Sequence, residues 1–367
     1  MKDCIIRILL LICGLQPAFG QADRIHQLQQ SLRLIKDSTH YVDVINKIAI
    51  LSYERAADST LYYASHAKQI AGRLKYAKGL ADAANNLGIA FDVRGNLQLS
   101  LRYYNDAYNQ YVTLVDTSII IQTLMNIASV YAISGKDDKA VANFDRALLL
   151  GSLASQDSIT SMAAYNYLLF YPQKFTRQRK ATLVAKINAA AEKYHDPRLW
   201  VAGQQLGGDD LIADNQKEKG LQQLESALDS ALKMQLYYLS IDLLMDLGNH
   251  YFAVSPEKGL SFYKRALEIA EDKKYQMYAK DICEKLYGIY LKKDDTRTAF
   301  MYSQRLVGIY EELAELDRIS GIDYIEYAIK DQQLESERLK SAYSSRLLWL
   351  VIIVCILAAV SYTHLRA

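Results

Sequence analysis

The sequence predicts an all-α protein in which about seven helix–turn–helix units stack as a solenoid. Three observations carry this reading. Apolar residues recur at helical spacing over most of the chain. The pattern repeats with a period near forty residues. Only four prolines interrupt 367 residues, 51% of them hydrophobic, so helices can run unbroken.

The clearest unit runs from Asn126 to Leu150. In its first helix Ile127, Ala128 and Tyr131 share one face. Gly135 offers the left-handed residue that ends a helix without a Cβ clash. Ala140, Phe144 and Ala147 share a face of the second helix, so small residues alternate with rings. Such a pair cannot bury its apolar face alone, and neighbours follow. Leu87, Gly88, Phe91, Gly95, Ser100, Tyr104 and Ala107 stand forty residues earlier. Ile48, Ala49, Leu61, Ala64 and Ala67 stand forty earlier again, with a turn read as one residue shorter. Later units hold Ile187 in a weak fourth repeat, then Ala227. Leu247, Gly248, Tyr251, Tyr263 and Ala266 form the sixth, and Leu286, Tyr290, Ala299 and Leu306 the seventh.

This arrangement of small, aromatic and glycine residues resembles the tetratricopeptide repeat over roughly residues 25 to 308. The resemblance implies a right-handed superhelix that binds protein or peptide ligands. The period exceeds the family's usual spacing, which points to longer helices.

In chain order, Lys2 and Arg7, the apolar run Ile8–Leu15 and the small-residue exit Pro17–Gly20 read as a signal peptide over 1–20. Export would allow disulfides, yet Cys4 and Cys13 leave with the signal and Cys355 lies in the terminal apolar run. Cys283 is then alone in the repeats, so packing must hold the fold. Residues 21–308 form the solenoid, opening with an amphipathic helix over Gln21 to Lys36. Helix caps are expected at Asp37-Ser38-Thr39, Asp58-Ser59-Thr60, Asp116-Thr117-Ser118 and Asp157-Ser158. The fourth repeat is broken by Pro172 and carries Lys174, Arg177, Arg179 and Lys180, a solvated basic turn that offers a hinge. Residues 309–346 read as a helical stalk able to pair with a second copy as a homodimer. LLWLVIIVCILAAV, 347–360, opens a transmembrane helix too short to complete its span. SYTHLRA, 361–367, resembles translated adapter sequence, so the chain is read as truncated and the tail as non-native.

A formal charge of +2 supplies no basic surplus for a nucleic-acid partner. The six histidines are scattered, Gly207-Gly208 opens no phosphate loop, and no serine or cysteine stands in a nucleophile motif. No enzyme, cofactor or metal is expected. One constellation stands out: Asn46, Asn86, Asn126 and Asn166 recur at intervals of forty on the first helices. The tetratricopeptide resemblance implies that asparagines here line the concave face and grip a peptide backbone, for which an amide that donates and accepts is suited. The ladder stops after them, at Leu206, Asp246 and Lys285 or Leu286. The order of parts resembles the periplasmic sensory half of Gram-negative receptors of this repeat class, single-pass in the inner membrane. The missing output part would be a histidine kinase or a DNA-binding regulator. The alternative is a membrane-anchored periplasmic scaffold without output.

Overall fold

A leading helix α1 (Gln21–Ser31) precedes seven helix pairs in the computed structural model, which describes residues 21–155, 157–315 and 318. The pairs are α2 (Ser38–Ser52) with α3 (Ala57–Leu74), α4 (Ala77–Val93) with α5 (Leu97–Leu114), and α6 (Thr117–Ile133) with α7 (Asp137–Leu153). They continue as α8 (Asp157–Phe170) with α9 (Arg177–Tyr194), α10 (Pro197–Ala213) with α11 (Lys217–Lys233), and α12 (Tyr237–Phe252) with α13 (Pro256–Lys273). The last is α14 (Gln276–Lys292) with α15, which begins at 296. The described residues up to Leu313 form one compact unit; a second begins at Ala314, where Arg318 pairs with Glu315 at 2.6 Å. The segments read as signal peptide, transmembrane helix and tail lie outside the described residues, as does the stalk beyond 315 apart from Arg318. Among the described residues no helix is long and apolar enough to cross a membrane.

The second helices α3, α5, α7, α9, α11 and α13 are 17 or 18 residues long, which accounts for the long period. A left-handed residue punctuates the chain about every twenty positions. It falls on Lys75, Gly95, Val115, Gly135, Ser155, His195, Asn215, Gln235, Lys274 and Asp294. Glycine fills only two of these slots, so the periodicity of glycine alone under-reports the turns. Two slots depart for local reasons. Ser255 precedes Pro256, whose ring pushes its neighbour to extended backbone (φ −137°). Near 175 the chain makes a 3₁₀ turn, Pro172–Lys174, after α8 ends at Phe170.

The helices pack by complementary size. A Cβ on Gly88 would stand 2.5 Å from the buried Tyr104 ring, and one on Gly248 2.3 Å from Tyr263. Each glycine is the notch that its partner ring fills. In the third repeat Ala128 and Phe144 hold the same slots, and in the fifth Gly208 meets Leu224. Tyr104, Tyr111, Tyr165, Tyr263 and Tyr275 are among the largest fully buried side chains, so many of the tyrosines are core.

Several expectations are corrected. The leading helix stops at Ser31, and Leu34 beyond it is exposed. Asp37 and Asp116 do cap, accepting from the amides of His40 and Ile119. Asp58 and Asp157 instead lie inside their helices' first turns, where they pair with Arg94 (3.0 Å) and Lys193 (2.7 Å). The first repeat's turn covers 53–56, one residue longer than 94–96 or 134–136, not shorter. The fourth repeat's basic turn is solvated as expected, with Lys174, Arg177 and Arg179 exposed; Arg177 pairs with Asp214 (2.6 Å) at the end of α10 and Lys180 with Asp210 (2.5 Å) on it. Cys283 is buried and reduced, its thiol pushed up to about 11 by burial.

Two stability predictions follow from this packing. Ala147, fully buried against Phe144 and the rest of its cluster, should tolerate aspartate badly: an unpaired carboxylate there costs several kcal/mol. Ala142→Asp on the exposed face of the same helix should cost about 1 kcal/mol or less. Equal losses in urea denaturation would contradict the packing. Val115 is β-branched, 81% exposed and held at φ +59°, a strained combination. Val115→Asn, the residue type found in the left-handed slot at 215, should therefore gain about 1 kcal/mol in the same assay.

Candidate functional site: the inner cavity

The turn between α2 and α3 touches the residues that lead into the sixth and seventh repeats, 180 residues and more along the chain. The Tyr237 amide donates to Glu54 O at 2.9 Å, and Tyr275 Oη donates to Tyr53 O at 2.7 Å. Arg55 bonds Gln235, and the Tyr53 and Tyr238 rings meet edge to face at 6.0 Å. Gly95 lies against Met277 and Leu313 of the seventh repeat. The row of first helices therefore curves back on itself and encloses a cavity of about 790 Å³, within the range of ligand pockets.

Every repeat's first helix, or its capping residue, reaches this space. The lining residues recur at helical spacing, for example Asp43, Asn46, Lys47 and Ile50 on α2, and Ile159, Met162, Asn166 and Leu169 on α8. Each first helix thus has two demanding faces, one for the stack and one for the cavity.

All four ladder asparagines line the cavity, but they differ in what they do. Asn46 and Asn86 are buried. Asn46 Nδ2 donates to Gly79 O at 3.0 Å, and Asn86 Nδ2 to Asn46 O at 3.0 Å and to Asn46 Oδ1 at 3.2 Å. Their donors are therefore engaged inside the stack rather than free for a ligand. Gly79 explains the first bond, since a Cβ there would stand 2.7 Å from Val42 and hold α4 away from α2. Asn126 is half-buried and makes a long 3.5 Å contact to Asn85 Oδ1. Asn166 is likewise half-buried. The open end of the ladder is at these two residues.

Charge distinguishes the cavity more than amides do. Eight carboxylates line it against three cations, and the cations are partly consumed. Lys78 lies 2.7 Å from Asp82 and 3.6 Å from Asp43, and Arg198 holds Asp196 at 3.0 Å. Asp92 and Asp242 have no cation beside them. Asp92 is bonded by Tyr104 and Asp242 by Tyr278. Isolation from bulk water pushes both carboxyls up to about 7, with Asp246 and Glu54 adding repulsion at Asp242. Asp246 is raised to about 6, by burial first and then by Asp209. It ends a buried chain in which Tyr165 Oη donates to Gln205 at 2.7 Å and Gln205 donates to Asp246. Among the described residues no three His, Cys, Asp or Glu side chains converge to hold a metal ion.

The acidic lining had a signal in the sequence. Asp43, Asp82, Asp242 and Asp281 stand at almost the same slot of their repeats, next to the asparagine slot.

No protein-family profile matches the sequence, and no curated protein is similar to it in sequence. Solved structures do share its fold. The Rap conjugation gene regulator of plasmid pLS20, in complex with the Phr peptide, is 15% identical with a TM-score of 0.55, covering 77% of this chain and 78% of that one. A Rap protein complexed with competence and sporulation factor gives 14% and 0.54, covering 80% and 87%. Aspartyl phosphate phosphatase F from Bacillus subtilis gives 14% and 0.51, covering 73% and 74%. The chain is thus an all-α, tetratricopeptide-like repeat solenoid of the kind seen in Rap proteins.

The divided ladder predicts divided effects. Asn86→Ala should lower stability by about 1 kcal/mol, the net value of a buried hydrogen bond. Asn126→Ala, with little to lose, should leave the denaturation midpoint nearly unchanged. A pH prediction follows from the raised carboxyls. Asp92, Asp242 and Asp246 are more readily protonated folded than unfolded, where they titrate near 3.8. The stability this supplies is complete below about pH 4 and is lost as pH rises through 6 to 7. His250, raised chiefly by its bond to Asp209, acts in the same direction. The Tm of the unliganded protein should fall between pH 5 and 8, and Asp92→Asn with Asp242→Asn should flatten that slope.

Proposed function

We propose that this chain is a non-catalytic interaction module that binds an extended peptide segment in its inner cavity. Asn126 and Asn166 contact the peptide backbone, with Asn46 and Asn86 building the wall behind them. One observation carries the reading. The inner face of the repeats sets the ladder asparagines and eight carboxylates among apolar side chains around a partly enclosed space, whereas a purely structural stack would close it with apolar side chains alone. Two structures of the same fold are described as complexes, with the Phr peptide and with competence and sporulation factor, which supports ligand binding by this fold.

The wider context is part of the same proposal. The apolar leader at 1–20 and the apolar run at 347–360 are the features that favour a periplasmic position for the repeats on a single-pass inner-membrane anchor. The stalk joins two copies, and the ligand signal passes to an output part beyond this sequence, a histidine kinase or a DNA-binding regulator.

Affinity selection with a pool of random hexapeptides, read by mass spectrometry, tests the binding. The full chain should retain a subset of the pool, and Asn126→Ala with Asn166→Ala should reduce retention by roughly ten-fold to a hundred-fold at unchanged Tm. Loss of Tm without loss of retention would make the amides structural. In spheroplasts, added protease should cleave near the exposed Pro172 without lysis. Protection until lysis would rule out the periplasmic placement.

A further inference from the structure

Glu54 lines the cavity and is 1% exposed; Tyr53 and the Leu239 amide bond its carboxylate, yet its Oε2 atom has no hydrogen-bond partner. A buried carboxylate oxygen left unmatched is costly, so it marks a place where a group is missing. Glu54 does not stand alone. Asp242 is close enough to feel its charge, and Tyr238 lies within the fields of both Asp92 and Asp242. Arg198 attracts Glu54 and stands within charge range of Lys47, but Asp196 already holds it through two nitrogens, Nε at 3.3 Å and Nη2 at 3.0 Å. Glu54 and Asp196 therefore share the Arg198 guanidinium, while Asp92 and Asp242 have no cation, and tyrosine rings wall the space between them.

We infer that the peptide bound in this cavity is cationic, and that it seats an ammonium or guanidinium group on the floor made by Glu54, Asp92 and Asp242. The inference rests on the peptide-binding reading above and adds the chemistry of the ligand. Three features favour an organic cation of this kind. The carboxylates do not converge on one point as metal ligands would. Glu54 Oε2 needs a donor, which an ammonium or guanidinium supplies and a neutral aliphatic side chain does not. Tyr238 stands beside the carboxylates, and its ring face attracts an organic cation. An anionic segment would meet unpaired carboxylates in a space of low dielectric, which excludes it more firmly than poor fit would.

The same pool experiment tests this in a way that separates the two readings. Two hexapeptide pools are used with the full chain at pH 8, one with acetylated and one with free N-termini. Retained peptides should be rich in Lys or Arg, or in the free-terminus pool should show the α-ammonium meeting the requirement. The comparison between pools identifies the source. Asp92→Asn and Asp242→Asn should each lower retention of the basic peptides by at least about tenfold. Neither should lower Tm at pH 8, because each removes an uncompensated charge, so loss of binding would not reflect unfolding. Glu54→Gln, which keeps shape and removes charge, gives a third, independent variant. Retained peptides without basic enrichment would overturn the cationic ligand while leaving the groove as a peptide site. Basic enrichment that survives all three substitutions would overturn the floor. Retention of nothing from either pool would overturn both readings.

Discussion

The cavity depends on the tie between Tyr53–Arg55 and the starts of the sixth and seventh repeats. A row of helix pairs held only by nearest neighbours would leave its inner face open to water. Here two hydrogen bonds to backbone carbonyls, a tyrosine edge contact and the Arg55–Gln235 bond join residues far apart in sequence. Ala57 and Val93 belong to the same apolar cluster as Leu236, Leu239 and Tyr275, so the joint is packed as well as bonded. Isolated from bulk water by this closure, Asp92 and Asp242 retain cavity exposure but lose most of their solvation. Their raised proton affinity and the tie are consequences of one geometry.

That geometry sets stability against recognition. The stack-facing sides of the first helices are near-optimal, with Gly88, Ala128 and Gly248 each receiving a large partner. The cavity-facing sides are not. Apolar replacement of Asp92, Asp242 or Glu54 would stabilise the unliganded protein, since buried unpaired carboxylates cost free energy. Their presence is a local conflict with foldability, and such conflicts belong at functional sites. The buried chain Tyr165–Gln205–Asp246 shows the contrasting case, in which polar groups in the same stack are satisfied by one another.

How much of this was legible in the sequence depends on the range of the interaction. Helix pairing, the size alternation at Ala128/Phe144 and the break at Pro172 are short-range, and periodicity displays them directly. The left-handed residues were half hidden, because only Gly95 and Gly135 advertise the conformation while Lys75, Val115 and His195 adopt it without a compositional mark. The asparagine ladder was visible as a spacing, but spacing does not tell which amide meets Gly79 and which meets open space. The tie was invisible: Tyr53 and Tyr275 are 222 residues apart, and no periodic rule brings them together. The net charge of +2 concealed the acidic interior, because the balancing lysines and arginines lie mostly on other faces. Summing charge by repeat slot, over Asp43, Asp82, Asp242 and Asp281, would have exposed it.

Glu54 connects the two halves of the account. Its backbone carbonyl accepts from Tyr237 in the tie, while its side chain lines the cavity with one oxygen unmatched. A cation seated there removes repulsion between Glu54 and Asp242, which stand on opposite sides of the joint, and so favours the closed arrangement. Linkage then requires the converse: whatever strengthens the tie raises affinity for the cation by the same factor. The first repeat and the sixth are thereby coupled to the ligand through one residue. The turn at 53–56 is one residue longer than those at 94–96 and 134–136 and lies where the chain meets itself, and this coupling gives that departure a physical purpose.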